Sequence, residues 1–224
     1  VVLLAIALFP ACSGRGSAVS GSGEIDVERT EASMEKNEMS YLNIVELWKN
    51  GAKDKFSVSK KIDDFEFTAT YKPYSILLME EYDSLNMDQK ITNDFKSKTV
   101  NYNNVHFFNF NIKNGSFKNE LIKLNAENNQ TYYDRIAYYS FGSKNDAYVV
   151  EDMDTLKCGF VNFERTFEAN PSVTLSFAFT RKSKSTNYKK LKFVFEDKVF
   201  NKGKVIFNFD TEPVLLLNYL KPLN

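Results

Sequence analysis

Between Val173 and Phe209 the chain places a large apolar residue at every second position in three separate runs. Val173, Leu175, Phe177 and Phe179 alternate with Thr174, Ser176, Ala178 and Thr180; Leu191, Phe193 and Phe195 repeat the pattern, and so do Val205, Phe207 and Phe209. Successive side chains of a strand point to opposite faces, so each run makes one wholly apolar face and one mixed face. A helix would scatter the same residues around its circumference. Asn201-Lys202-Gly203 supplies the turn residues between the last two runs. These stripes demand strands packed over a phenylalanine-rich core.

Further strands are predicted at 148–151 and 158–163, and the regular spacing points to an antiparallel meander or sandwich in the C-terminal half. Earlier, Phe65, Phe67, Ala69 and Tyr71 alternate with polar neighbours as a half-buried strand, and another is expected at 105–112. Residues 132–139 read as a short helix or strand. Tyr41, Ile44, Val45 and Trp48 fall on one helical face that Gly51 can terminate. Pro73 can open a second helix with Leu78, Tyr82 and Leu85 on its buried side, and the polar stretch 87–100 reads as helix or loop. The expectation is an α+β domain: a few helices from the N-terminal half cover the C-terminal sheet.

Residues 1–11, VVLLAIALFPA, form an uncharged apolar run of the length of a signal-peptide core and too short to span a bilayer. No basic segment precedes it and the chain does not begin with Met, so the reading is a signal peptide with a truncated start or one begun at an alternative start codon. Phe9-Pro10-Ala11-Cys12 resembles the bacterial lipobox, in which a small residue precedes a lipid-modified cysteine. Ala11, Cys12 and the following Ser13-Gly14 fit; Phe9 stands where Leu is usual, and Pro10 is uncommon at its place. The alternative is an ordinary cleaved signal, cut after Ala18. Residues 12–37 are rich in Ser, Gly and Glu and almost free of large apolar side chains, the composition of a flexible tether. The domain expected beyond it spans 38–224. Several acyl chains on Cys12 would hold the protein on a bilayer far more firmly than one.

With Cys12 lipidated, Cys158 has no cysteine to pair with, and a cysteine within a strand reads as a small hydrophobe. His106 is the one histidine; alternation aligns it with Phe108, Phe110 and Ile112, and one histidine cannot build the common multi-histidine metal sites. No catalytic residue, metal site or cofactor is assigned. Glu151, Asp152 and Asp154 form an acidic cluster read as a solvated turn, since Thr155-Leu156-Lys157 does not continue a calcium-binding loop. Glu80, Glu81 and Asp83 offer carboxylates for glycoside hydrolysis, with no partner at a defined separation.

Residues 181–192 read RKSKSTNYKKLK, and Arg181, Lys182, Lys184, Lys189, Lys190 and Lys192 make a basic loop that can bind anions such as lipid phosphates, acidic glycans or an acidic partner. Acidic and basic residues balance at 29 each, which leaves no overall field for nucleic acid. Asp83-Ser84-Leu85 and Asp154-Thr155-Leu156 resemble the O-glycosylation sequon of exported Bacteroidetes proteins, marking Ser84 and Thr155 as acceptors.

The lipobox-like segment, the tether and the strand-rich second half together resemble lipoproteins common in Bacteroidetes, in style over most of the chain. The segments carrying the likeness are Thr155-Leu156-Lys157-Cys158, Asn162-Phe163-Glu164-Arg165 and Phe193-Val194-Phe195-Glu196-Asp197. The resemblance implies a lipid-anchored envelope protein, expected at the outer membrane on its periplasmic or surface face, and supplies no activity. The functional expectation is a non-enzymatic module binding an envelope protein or glycan, or a structural envelope component. The alternative is an exported hydrolase with carboxylates converging from Glu80, Glu151 or Glu164.

Overall fold

The computed structural model describes residues 53–74, 76–77, 104–165, 171–182 and 188–211. Contacts divide the chain into Val1–Lys36 and Asn37–Asn224, and every described residue belongs to the second unit. Cys12, the tether, the Tyr41–Trp48 helical face, the helix expected around Leu78–Leu85, Glu80, Glu81, Asp83, Ser84 and Lys184 lie outside the described residues.

Eight antiparallel strands follow the apolar alternation: β1 (Ser57–Ile62), β2 (Phe65–Lys72), β3 (Val105–Asn114), β4 (Ala147–Glu151), β5 (Asp154–Glu164), β6 (Ser172–Thr180), β7 (Leu191–Asp197) and β8 (Gly203–Phe209). One sheet holds them in the order β1-β2-β3-β6-β5-β4-β7-β8. The meander expected in the C-terminal half is therefore corrected, because β7 pairs with β4 rather than with β6. Two stacked sheets are not formed either, for β5 belongs to both halves of the wrap. Its first residues, 154–157, pair with β4, and its later ones, from Cys158 onward, pair with β6. The register shifts between Cys158 and Phe160, and a bulge of this kind bends a strand and increases its twist. That bend curls the sheet until β1 and β8 run close together. Lys202 Nζ lies 2.7 Å from Asp63 Oδ2 across that seam, and the Phe65 and Phe200 rings pack at 4.8 Å with their planes tilted by 35°. The result is a nearly closed barrel.

The stripes meet inside it. Phe67, Phe110, Phe179, Phe193, Phe195 and Phe207 are all fully inaccessible. Phe110 touches rings from both sides of the wrap, at 6.2 Å to Phe67 and 4.7 Å to Phe195. Such interlocked rings leave the barrel centre occupied by side chains and contribute more than their buried area alone. The strand the sequence pattern did not flag is β1, SVSKKI, exposed over half of its length and half-buried over the rest. It forms because β2 offers a free edge, and Ser57 and Ser59 hydroxyls bond Thr70 and Thr68 at 2.8 and 2.7 Å.

Short helical turns occur at Lys53–Lys55 and just after Pro73, and the longest described helix lies in mid-chain. Helix α1 (Asn129–Ala137) starts where the Asn128 side chain accepts from the Thr131 N–H at 2.9 Å, an N-cap. It runs into a π-helical turn, Tyr138–Gly142. A Cβ at Gly142 would lie 2.9 Å from the Tyr138 ring, so the wide turn needs glycine there. Tyr139 is fully buried, packs on Phe163 at 5.6 Å, and its hydroxyl has no hydrogen-bond partner among the described residues.

Candidate functional site

The two ends of the barrel differ in chemistry. At one end three inward-facing polar side chains meet. The alternation that buries Phe108 and Phe110 also buries His106, which is 1 % exposed. Glu151 is the last inward residue of β4 after Ala147 and Val149, and Arg181 follows Phe179 in the inward register of β6. Arg181 grips Glu151 with both atoms of one guanidinium edge, Nε to Oε2 and Nη2 to Oε1, each at 2.7 Å. His106 Nε2 lies 2.6 Å from Glu151 Oε2 and its Nδ1 lies 3.3 Å from the Tyr71 hydroxyl. The Tyr188 ring closes the group, 5.0 Å from the Arg181 guanidinium and 5.4 Å from the imidazole.

The charges follow from this geometry. Burial pushes the Glu151 carboxyl up, but hydrogen bonds and charge from Arg181 and His106 outweigh it and bring it down to about 2. Burial holds His106 below its ordinary 6.5, against the pull of Glu151. At neutral pH the pair Glu151⁻–Arg181⁺ is balanced, and neutral His106 donates from Nε2 to Glu151 while Nδ1 accepts from Tyr71. Every polar atom of that imidazole is satisfied by buried protein groups, which makes the cluster a structural tie between β2, β3, β4 and the chain after β6.

Glu151 is thus not part of a solvated turn. The acidic hairpin does hold the basic loop: Asp152, with φ 51°, accepts from the Lys189 and Lys190 backbone N–H groups at 2.9 Å each. Of the six basic residues, Arg181 faces inward; Lys182, Lys189 and Lys190 are exposed and Lys192 is half-buried. Thr155 is exposed on β5 beside buried Leu156. Cys158 is half-buried at the bulge, its thiol donating to Phe160 O at 3.0 Å and raised in pKa by burial. Glu151 pairs across from Asp154 at the start of β5, and Glu164 ends that strand. Ten residues of strand, roughly 30 Å measured along the chain, separate Glu164 from the Asp154 that Glu151 faces, which keeps Glu151 and Glu164 far apart. No group of three or more His, Cys, Asp or Glu suited to a metal is present among the described residues, and no described helix is long and apolar enough to cross a membrane.

The other end carries an open cleft of about 480 Å³. It lies between the barrel rim and the segment that leads into α1. Phe65 and Phe200 form an aromatic floor, with Phe117 and Leu124 beside it, and Asn114, Ser116, Asn125 and Asn201 set amides and a hydroxyl around the edge. Arg135 enters from α1 and Lys202 from the β7–β8 turn, facing one acid, Asp64. Lys202 Nζ sits 4.9 Å over the Phe65 ring, and the Arg135 guanidinium 5.5 Å over Phe200. A second cleft of about 360 Å³ shares Asp64, Phe65, Asn114 and Phe117 with the first. No family model, curated protein or solved structure matches the chain.

Sequence reasoning flagged none of these cleft residues as a site. The turn Asn201-Lys202-Gly203 was legible, but Arg135 and Phe65 are 70 residues apart and nothing local links them. The buried cluster did leave a signal: His106, Glu151 and Arg181 each stand two positions from an apolar residue of an inward stripe, in register with it.

Proposed function

We propose that this chain is an exported bacterial lipoprotein whose β domain is a non-enzymatic binding module, with the cleft at the α1 end of the barrel as its ligand site. The observation that carries the binding reading is that cleft. It combines an aromatic floor with a polar, net basic edge, the mixture that gives a ligand contact area and orientation together. The barrel centre is filled by phenylalanines among the described residues. The address rests on sequence: Cys12 takes the acyl chains, residues 13–37 hold the domain off the bilayer, and the helices read from Tyr41–Trp48 and Pro73 onward complete the domain. An envelope glycan or protein segment is the partner in this reading, and no nucleic acid is involved.

Two measurements test it. Cys12→Ala should move the protein from the membrane to the soluble fraction with an unchanged far-ultraviolet circular dichroism spectrum; retention in the membrane pellet rejects the anchor. Phe200→Ala, which removes part of the cleft floor, should abolish retention on immobilised envelope polysaccharide. Equal retention of both proteins rejects the cleft as the site.

A further inference from the structure

Two arginines of this domain present an instructive contrast. Arg181 uses its Nε–Nη2 edge to grip the Glu151 carboxylate in a two-pronged bond, 2.7 Å on each side. Arg135 has no such partner among the described residues. Its Nη1 donates to Ile122 O at 2.8 Å and Leu124 O at 2.6 Å, and these bonds fix the guanidinium in the wall of the cleft. An Nη1 group carries two N–H bonds, so both are engaged and the Nε–Nη2 edge is left over. No carboxylate or other acceptor meets that edge among the described residues. The guanidinium is half-buried and rests over the Phe200 ring, which lowers local hydration and strengthens charge pairing.

We propose, building on the reading of this cleft as the ligand site, that it takes a carboxylate-bearing saccharide of uronic-acid type, the carboxylate seated on the Nε–Nη2 edge of Arg135. A planar carboxylate matches that fork in spacing and charge, as Arg181 shows within the same molecule. Lys202 adds a second positive charge, although Asp63 already neutralises part of it, and Asp64 opposes it from the rim. The cleft therefore favours one carboxylate and disfavours a densely charged polyanion. The rest of the lining favours a sugar over a simple organic acid. Phe65 and Phe200, covered by Lys202 and Arg135, back the cations with apolar surface, while Asn125 and Asn201 present amides able both to donate and to accept towards sugar hydroxyls. The volume of about 480 Å³ lies in the range of small-ligand sites and holds a short oligosaccharide, not a folded partner.

The test is calorimetric titration of the full chain, carrying Cys12→Ala to keep it free of acyl chains, with a disaccharide that bears a single galacturonic acid residue and with its neutral methyl ester. The acid should bind at least about tenfold more tightly than the ester, the effect of a charge-assisted pair, and the difference should shrink as salt rises. Arg135→Gln should bring the acid to the level of the ester, with a thermal melt checking that the variant folds. Lys202→Met leaves the Arg135 clamp intact and should weaken acid binding about two- to fivefold, so a misfolded Arg135 variant does not end the test. Equal binding of acid and ester, both lost in Phe200→Ala, would keep the cleft as the ligand site and overturn the carboxylate. Binding of neither, or binding that survives Phe200→Ala, overturns the carboxylate and the cleft together. Inorganic phosphate displacing the acid at equal concentration shows a general anion site and also overturns the assignment.

Discussion

Replacing Glu151 by Gln keeps the shape of the side chain and removes its charge, so it isolates the electrostatics of the buried cluster. The side chain of Glu151 is 8 % exposed and that of Arg181 3 %. The carboxylate accepts two bonds from Arg181 at 2.7 Å and one from His106 at 2.6 Å. The amide can still accept on its oxygen, but its nitrogen meets a guanidinium N–H donor to donor. It also leaves a buried cation without a counter-charge. Breaking a buried pair in this way costs about 3–5 kcal/mol, and the retained acceptor places Glu151→Gln at about 3. For a domain of this size that corresponds to a fall in Tm of about 6–12 °C, read by circular dichroism at neutral pH. The pH dependence supplies the sign. A carboxyl whose folded pKa is about 2, below its ordinary 4.5, contributes stability that is fully present above 4.5 and is lost as pH falls through 2. The gap between wild type and variant should therefore narrow from pH 4.5 downward. Converting both Glu151 and Arg181 to Met should recover much of the loss, because no charge is then stranded. A single-variant shift under about 2 °C would refute the claim that this pair ties the barrel end together.

Two further outcomes follow from the same packing. His106 is held neutral by burial with its pKa below 6.5, so its contribution is present above pH 6.5 and declines as the pH drops through the folded value. The chain has no other histidine, and His106→Gln, which keeps a donor for Glu151, should flatten the change in Tm between pH 7 and 5; an unchanged slope would assign it to other groups. Phe110→Ala at the centre of the ring cluster should cost about 3–5 kcal/mol in urea unfolding, and a loss under about 1 kcal/mol would mean that the barrel centre is not close-packed.

Local periodicity was enough to locate most strands, because alternation is written into neighbouring residues and needs no knowledge of what lies across the core. Residues 65–71, 105–112, 173–180, 191–196 and 205–209 all fall within observed strands. Where the pattern was silent, local chemistry was weak: β1 carries Lys60 and Lys61 and few apolar groups, and it pairs because of β2, not because of its own composition. The segment from residue 132 reads as either helix or strand, since Tyr132, Ile136 and Tyr139 fit the helical face that the structure selects while their β propensity fits a strand.

By itself the sequence determined that this chain builds a phenylalanine-cored antiparallel domain with His106 on an inward stripe, and it carries the lipobox-like motif around Cys12. Only tertiary structure decided that the sheet wraps into a near-barrel through the bulge in β5. Strand order is set by long-range pairing, which leaves no trace in the alternation of any one strand. The same holds for both polar sites. Glu151 looked like one acid in a soluble turn until β4 turned it towards Arg181 and His106, which lie 30 and 45 residues away. Arg135 was an ordinary helix-surface cation until the Ile122 and Leu124 carbonyls took one side of it and left the other facing no acid among the described residues. Their roles depend on which groups the folded chain brings within hydrogen-bond reach.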